Sequence, residues 1–277
     1  MTSDVRDAAK TKRSGRLVPL ALERLPWWVL ILLFLGLLIV YNVVTSAMYR
    51  DTFTFLWEGV KLTVISTLIA YALATVLGLI TGLGRVAKNP VFYTASTLYV
   101  EVVRGIPILV QLIYWAFVVT PLIVDGSHSL GDFLMARVSA GFLFNLGQSL
   151  AALDIKNIEV PARGIVGLAV AYGAYEAEIF RAGIESIERG QMEAARSLGM
   201  SYFQAMRYVI LPQAIRRVLP PLGNDFISML KDSSLLSALA VSELTQLGKL
   251  YRARTFRTFE TWNMVAFLYL AMTLCLS

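Results

Sequence analysis

The chain has 277 residues, of which 57% are hydrophobic and only 16% charged, and its mean hydropathy is +0.64. A soluble domain of this size carries more charge, so the composition predicts a membrane protein that crosses the bilayer several times. The net charge of +6 comes from basic residues that cluster in a few polar segments, which suits the positive-inside rule and excludes a nucleic-acid-binding protein with a basic patch on a soluble fold.

The sequence contains little that could hold a metal or a nucleotide. A single cysteine, Cys275, and a single histidine, His128, exclude a disulfide framework and disfavour a metal site made of protein ligands. No G-x-x-x-x-G-K-[ST] motif occurs. We therefore expect no cofactor in this chain and no catalytic residue, and any nucleotide energy has to come from another chain.

The N-terminal region predicts a basic cytoplasmic tail at residues 1–25, followed by a membrane helix within 26–49. The apolar run is about 18 residues long, which is enough to span and long for a signal peptide, although residues 45–47 would make an acceptable cleavage site. We expect a retained helix with Trp27 and Trp28 at its cytoplasmic end.

The second and third apolar runs predict packed helices of different kinds. The second, residues 61–84, has a stripe of small residues that favours close packing on a neighbouring helix; the stripe consists of Thr63, Thr67, Ala70, Ala74 and Gly78. The third, residues 92–124, is interrupted at residues 105–107, because a proline there removes a helix hydrogen bond. Glu101 and Arg104 precede the break and can pair on one face, or can bind the solute, and Gln111 continues that face.

The middle of the chain alternates between polar and apolar stretches. Residues 125–163 are too polar for a span and are predicted to lie on the extracytoplasmic side, with a possible re-entrant helix inside them. The fourth span, residues 164–181, contains Tyr172 and Glu176 on one face. Glu176 has no opposite charge three or four residues away, so we expect it either to border a site for a cationic or neutral polar solute or to bind a neighbouring helix.

The fifth predicted span, residues 218–240, concentrates polar residues inside the membrane. Asn224, Ser228 and Lys231 share one helical face. Asp232 lies on a neighbouring face that also includes Ser228. Ionisable groups within a span are costly, so we expect these side chains to line a pathway or gate, the alternative being that they only hold neighbouring helices together. A last apolar run starts at residue 262, and we expect the natural sequence to extend beyond Ser277. The chain thus predicts about six spans with both termini in the cytoplasm.

Residues 185–217 form a basic segment between the fourth and fifth spans that cannot cross a bilayer. Glu193, Ala194, Ala195 and Arg196 belong to a short amphipathic helix, Gly199 stands at the turn that follows, and a second helix leads to Pro212. We expect a compact elbow that docks on a soluble partner, with the alanines entering a groove and the charged side chains at its rim. An ordinary interfacial helix is the alternative.

The spacing of Glu193-Ala194-Ala195, Gly199 and Val209-Ile210-Leu211-Pro212 resembles the EAA loop of bacterial ABC-importer permeases. Residues 174–175, 177–184, 190–191, 224–226 and 231–235, together with 101–107, are similar to the subgroup that carries polar amino acids, of the histidine, glutamine and arginine permease type. The likeness covers about residues 57–276. It implies an all-α membrane protein with a five-helix type I core at 57–277, and the helix within 26–49 is an addition to that core.

The resemblance also implies partners. They are a dimer of ATPase subunits that binds ATP and Mg²⁺, a second permease subunit, an extracytoplasmic binding protein that delivers the amino acid, and the lipids of the bacterial cytoplasmic membrane. Two other function classes are open from sequence alone: an ion-coupled secondary transporter, and a membrane sensor subunit that signals through the elbow without transport. The first would leave the elbow without a role.

Overall fold

The computed structural model describes residues 27–138 and 140–276, and within these ranges the chain is helical without β-strands. The predicted tail at residues 1–25 and the end of the chain at Ser277 lie outside the described residues. The helices are α1 (Trp27–Thr45), α2 (Ala47–Arg85), α3 (Pro90–Arg104), α4 (Ile108–Tyr114), α5 (Thr120–Arg137), α6 (Phe142–Ala151), α7 (Val160–Glu185), α8 (Arg189–Ser197), α9 (Tyr202–Ala205), α10 (Leu211–Asp232), α11 (Leu244–Thr255) and α12 (Thr258–Leu276).

Short turns of other helix types join several of these elements. A π-helical turn, Trp115–Val119, makes α4 and α5 continuous, and a second one, Met206–Ile210, joins α9 to α10. A 3-10 segment, Ser233–Leu239, follows α10 and ends at Ala240, whose φ is +58°. Extra residues are thus accommodated inside long helices.

Four of the described helices are long and apolar enough to cross a membrane: α1, α2, the continuous helix Ile108–Arg137, and α12. Helices α7 and α10 have 26 and 22 residues, so they are also long enough to cross a membrane. Both are more polar than the four helices named above, and their composition alone does not identify them as spans. The chain is therefore an all-α membrane protein, and the number of about six spans stays a prediction.

The pair α2 and α7 forms the centre of the fold. The small residues of α2 predicted to face a neighbour, Thr63, Thr67, Ala70, Ala74 and Gly78, are all buried. A Cβ atom added to Gly78 would lie 2.7 Å from the Glu176 Cβ, and one added to Gly82 would lie 2.8 Å from the Phe180 Cβ. The prediction of close packing along this stripe is confirmed, because α7 approaches the backbone of α2 where side chains are absent.

Two apolar clusters surround this pair. Leu112 of α4, Leu168 of α7 and Met229 of α10 pack with Ala70 and Ala74 of α2 in the first. The second joins α2 to α11 and α12, and its fully buried members are Leu56, Leu244 and Met264. Helix α1 contributes no buried residue and rests on α2 and α12.

Several helices differ in their bounds from the spans predicted within them. Helix α2 begins at Ala47 rather than 61, and the helix predicted to end near 124 continues to Arg137, so the segment 125–163 starts inside a helix. Helix α10 starts earlier and ends at Asp232, with Pro220 and Pro221 inside it. Hydropathy falls where a helix leaves the apolar layer, but its backbone hydrogen bonds continue.

The chain has two distinct ends. At one end Arg85, the last residue of α2, bonds to Glu178 near the end of α7, and the segment that follows α7 leads into α8. At the other end Asp51, near the start of α2, lies 3.7 Å from Arg257 just before α12. We call these the elbow end and the opposite end.

Candidate functional site

Helices α2, α7 and α10 pack together around two acidic side chains, Glu176 and Asp225, and we call this region the three-helix seam. The absence of side chains at Gly78 and Gly173 lets α2 and α7 approach closely there. Polar residues at this depth are costly unless they are satisfied or face a solute. The seam is therefore the main candidate for a solute site.

Glu176 is the most unusual residue of the seam. Its side chain is fully buried on α7, and neither carboxylate oxygen has a hydrogen-bond partner among the described residues. The Thr75 hydroxyl lies beside the carboxylate, but no hydrogen bond joins the two groups. A buried carboxylate normally has a donor or a cation as its partner. Glu176 is therefore poised to accept a hydrogen bond or an ion pair from a group that enters the seam.

Helix α10 contributes a second acidic group to the same region. Asp225 is half-buried and faces the charge of Glu176, and its Oδ2 also has no partner in the described ranges. Tyr71 of α2 anchors α10 nearby, because its hydroxyl donates to the Leu222 carbonyl at 2.9 Å and its ring contacts Phe226 edge-on. The seam thus holds two acidic side chains.

The other predicted pathway residues separate into two groups. Tyr172 donates a hydrogen bond to Asp232 at 2.8 Å, so these two residues tie α7 to the end of α10. Asn224 and Lys231 are exposed on the outer face of α10, and Ser228 is half-buried. The predicted polar face therefore does not converge on Glu176 within one chain, and Asn224 and Lys231 need an aqueous channel or a partner in the membrane.

At the elbow end, Glu178 is the centre of an ion-pair network. It accepts from Arg85 at 2.6 Å, from Arg181 at 2.7 Å and from Arg104 at 3.3 Å. Glu178 and Arg181 lie three residues apart on α7, a spacing at which two side chains on one helix face can pair. The predicted pairing of Glu101 with Arg104 is wrong: Glu101 lies 3.6 Å from Arg85 instead.

A polar cavity of about 600 Å³ opens beside this network, between the ends of α3, α7 and α10. Arg104, Arg181 and Arg217 line it together with Glu178. Arg104 also stacks over the Tyr175 ring at 5.5 Å from its centroid. The cavity is mainly basic because three arginines face one carboxylate, so it suits an anionic group.

The Gln111 side chain binds the backbone at the helix break and does not face the seam. Its amide donates to the Val103 and Ile106 carbonyls, each at 2.7 Å, and the side chain is buried. These carbonyls lie on either side of Gly105, where the regular hydrogen bonding of α3 stops. The predicted break at residues 105–107 is confirmed, and a side-chain amide stabilises the backbone it exposes.

The predicted elbow has the expected shape. Helix α8 ends at Ser197, and Gly199 follows with φ +83°, a left-handed conformation in which glycine carries no steric cost. Ser201 then caps α9 in a reciprocal pair with Gln204. Glycine and the capping box together fix the angle between α8 and the helix that leads into α10 through Pro212.

The two alanines of the elbow have different surroundings. Ala195 is buried against the chain itself, which corrects the expectation that both alanines enter a partner's groove. Ala194 is exposed, and so are Glu193 and Arg196. Large apolar side chains also stand exposed around the turn, namely Leu198, Tyr202, Phe203 and Tyr208. A polar helix with an unpartnered apolar rim at a helix turn is suited to bind a protein.

Three contributors to these sites were missed or underrated by sequence reasoning. Arg85 was predicted only to mark a helix end, whereas it binds Glu178. Tyr71 and Thr75 read as ordinary members of an apolar helix, although their spacing of four places both on one face. In residues 27–138 and 140–276, no cluster of three or more histidine, cysteine, aspartate or glutamate side chains could bind a metal ion.

Comparison with known proteins agrees with this arrangement. Residues 74–277 match the family described as binding-protein-dependent transport system inner membrane component. The glutamine transport system permease protein GlnP of Escherichia coli K12 is 35% identical over 220 residues, which cover 79% of this chain and 87% of that protein. The probable amino-acid permease protein YxeN of Bacillus subtilis is 35% identical over 227 residues, covering 82% and 88%.

A third relative and two solved structures extend the comparison. The arginine transport system permease protein ArgU of Corynebacterium glutamicum is 37% identical over 182 residues, covering 65% of this chain and 51% of that one. An amino acid ABC transporter crystallised with histidines superposes with a TM-score of 0.64 and 32% identity, covering 85% of this chain and 94% of the other. The MetNI methionine ABC transporter, at TM-score 0.53, 18% identity and coverages of 84% and 94%, shares the fold.

The matched region contains the seam, the ion-pair network and the elbow. The similarity to ABC transport systems supports ATP-coupled import over ion-coupled transport and over signalling without transport. The chain carries no enzymatic activity of its own, since ATP hydrolysis in this arrangement belongs to a separate subunit. The chain belongs to the family of inner-membrane permease components of binding-protein-dependent ABC transport systems.

Proposed function

We propose that the chain is one of two permease subunits of an importer for polar amino acids in the bacterial cytoplasmic membrane, and that Glu176 binds the cationic group of the solute. The observation that carries the proposal is the fully buried Glu176 carboxylate, which has no partner among the described residues. Relatives named for glutamine and arginine transport support the class of solute.

The charge of the seam further restricts the class of amino acid that it can bind. Every amino acid carries an α-ammonium group, arginine and lysine carry a second cationic group, and histidine gains one when its imidazole is protonated. Glu176 and Asp225 both attract such groups and repel a side-chain carboxylate, because the seam holds two acids near each other. The seam therefore favours cationic and neutral polar amino acids over glutamate and aspartate.

The exposed polar residues of α10 support a second permease subunit. Asn224 and Lys231 would face lipid if the chain acted alone, and that placement costs several kcal/mol for the lysine. A second subunit packed on this face would enclose them in a polar pathway. Whether that subunit is identical to this chain or a close relative, the pathway would lie between the two.

The elbow would dock on an ATPase subunit that binds ATP and Mg²⁺. Glu193, Ala194 and Arg196 are exposed on α8, and the apolar side chains around Gly199 would form the dry part of the contact, with the charged side chains at its rim. Gly199 and Pro212 keep the elbow compact, so a movement of the ATPase would pass directly into α7 and α10. An extracytoplasmic binding protein would deliver the solute at the opposite end.

The test replaces Glu176 with glutamine, which keeps its size and removes its charge. The transporter is purified with its ATPase and partner permease, reconstituted in liposomes, and supplied with its binding protein loaded with arginine, glutamine or glutamate. Since a charge-assisted hydrogen bond is worth about 1.5–3 kcal/mol, we expect E176Q to lower ATP-dependent uptake of the preferred solute roughly tenfold or more. The discrimination against glutamate should weaken in the same variant.

Glu58→Gln is the matched control. Glu58 also lies in a membrane helix and carries a carboxylate, but its side chain is exposed, and Lys61 is its ion-pair partner among the described residues. We expect uptake by E58Q to equal that of the unmodified transporter. Unchanged uptake and unchanged solute preference in E176Q would exclude Glu176 from the solute site.

A further inference from the structure

The opposite end of the chain has a basic pocket that the transport pathway does not use. It has a volume of about 550 Å³ and lies between the start of α2 and the end of α11. Arg50, Arg254 and Arg257 line it with a single acidic residue, Asp51. Three cations therefore face one anion, and the pocket carries a net charge of about +2.

These arginines keep hydrogen-bond donors that could bind an anion. Arg50 donates to the Val44 carbonyl at the end of α1, and Arg257 donates to the Tyr251 hydroxyl and lies 3.7 Å from Asp51. The exposed Arg254 guanidinium makes no hydrogen bond or ion pair within the described part of the chain. A guanidinium group binds a phosphate through two parallel hydrogen bonds, so Arg254 is available for such a ligand.

Two independent helices fix the depth of the pocket in the membrane. Helix α1 has 19 residues, about the number needed to cross the apolar layer, and Arg50 follows its end by five residues. Helix α12 also has 19 residues, and Arg257 stands immediately before its first residue. Both helices therefore put the pocket at the level of the lipid headgroups in the leaflet away from the elbow.

The residues beside the pocket fit that depth. Phe256 is 87% exposed and Phe259 is 72% exposed, one on each side of Arg257 in the sequence. Phe256 holds a left-handed backbone conformation with φ +59°, which is costly for a non-glycine residue. Exposed aromatic rings next to cations, at the end of a lipid-facing helix, are typical of a membrane interface.

The charge of this end also runs against the usual asymmetry of membrane proteins. Basic residues are normally concentrated in cytoplasmic segments, whereas this pocket lies at the end of the molecule away from the elbow. We propose that the pocket bounded by Arg50, Arg254 and Arg257 binds the phosphate headgroup of an anionic phospholipid in the extracytoplasmic leaflet. This site is independent of the solute and of the docking of the ATPase.

The test compares Arg254→Gln with Arg252→Gln in the purified transporter complex. Both arginines are exposed on α11, but only Arg254 lines the pocket. The complex is incubated with phosphatidylglycerol or with phosphatidylethanolamine of the same acyl chains, and native mass spectrometry counts the lipids retained. We expect the unmodified complex and R252Q to retain phosphatidylglycerol in preference, and R254Q to lose occupancy about fivefold, or about 1 kcal/mol for one arginine.

Three outcomes would overturn the proposal. Equal losses in R252Q and R254Q would show only diffuse attraction to an anionic surface. Equal retention of the two lipids by the unmodified complex would exclude a headgroup site. Unchanged lipid retention in R254Q, together with weaker binding of the extracytoplasmic binding protein, would assign the pocket to protein docking instead. A thermal unfolding scan of each variant confirms that the complex remains folded.

Discussion

Gly78 determines how closely the buried acid of α7 lies against α2. An added Cβ at this position would stand 2.7 Å from the Glu176 Cβ, which is closer than real Cβ atoms pack, and 3.1 Å from the Gly173 carbonyl oxygen, which is a tight contact. The position of Glu176 thus depends on the absence of a side chain on another helix. A carboxylate held in this way is fixed by backbone packing, because no hydrogen bond from the described residues orients it.

We predict that Gly78→Ala destabilises the transporter and moves Glu176. The new methyl group overpacks a helix crossing, which costs about 1–3 kcal/mol. The melting temperature of the purified complex measures this effect, and uptake of the preferred solute should fall with it. Gly126→Ala is the control, since an added Cβ there meets no atom within 4 Å. Equal melting temperatures for the two variants would contradict the prediction.

The polar residues could be identified from sequence, but their partners could not. Glu176 and Asp232 stand out because ionisable residues within a span are rare. Whether an acid has a partner depends on the other helices that reach it: Tyr172 satisfies Asp232, whereas nothing in the described ranges satisfies Glu176. Arg85 binds an acid 93 positions away, and no local pattern shows that contact.

At the scale of helices, the ion-pair network joins three elements at the elbow end. Glu178 of α7 binds Arg85 of α2 and Arg104 of α3, in addition to Arg181 on its own helix. The Arg85 side chain is only 10% exposed, so this pair lies largely out of water. Such a pair is costly to break, because the remaining charge has to be solvated elsewhere.

We predict that Arg85→Met separates the ends of α2 and α7. Glu178 keeps Arg104 and Arg181 and stays partly exposed, so the expected loss of stability is about 1–3 kcal/mol rather than that of a fully orphaned buried charge. Thermal unfolding of the complex in detergent gives the difference. Lys61→Met removes the partner of Glu58 from an exposed pair and should cost less than about 1 kcal/mol. A larger effect in K61M than in R85M would refute this account.

The predictions were most accurate where a glycine or a proline determines the local backbone conformation. Gly199 and the break at residues 105–107 follow from the conformations that glycine and proline allow. Helix lengths were underestimated because hydropathy reports depth in the membrane and not hydrogen bonding. Pro220 and Pro221 lie within α10, since a membrane helix tolerates proline where neighbouring elements satisfy the backbone.

At the scale of the whole molecule, α2 connects the two functional ends. Its 39 residues make a helix about 58 Å long, longer than the apolar layer is thick. One end reaches the basic pocket through Arg50, and the other reaches the ion-pair network through Arg85. The binding of a lipid and the movement of the elbow therefore act on opposite ends of one helix.

The elbow prediction concerns the assembled transporter. We expect Ala194→Arg to lower co-purification of the ATPase at least tenfold, because a long charged side chain on the exposed face of α8 prevents close docking. The membrane subunit should remain folded, since Ala194 packs on no buried cluster. Lys88→Glu, which reverses an exposed charge in the turn between α2 and α3, serves as the control and should leave the ATPase bound. Retention of the ATPase by A194R would rule out this face as the docking surface.

The continuity of α7 has a consequence for how solute is released. Glu176 and the last residue of the helix, Glu185, are nine positions apart, or about 14 Å along a rigid axis. A tilt of ~10° at that end would displace the carboxylate by about 2 Å, which is enough to turn a hydrogen-bonded contact into an open gap. For a solute bound at Glu176 as proposed, a small tilt of α7 as a rigid body would then suffice to loosen the contact, without any break in the helix.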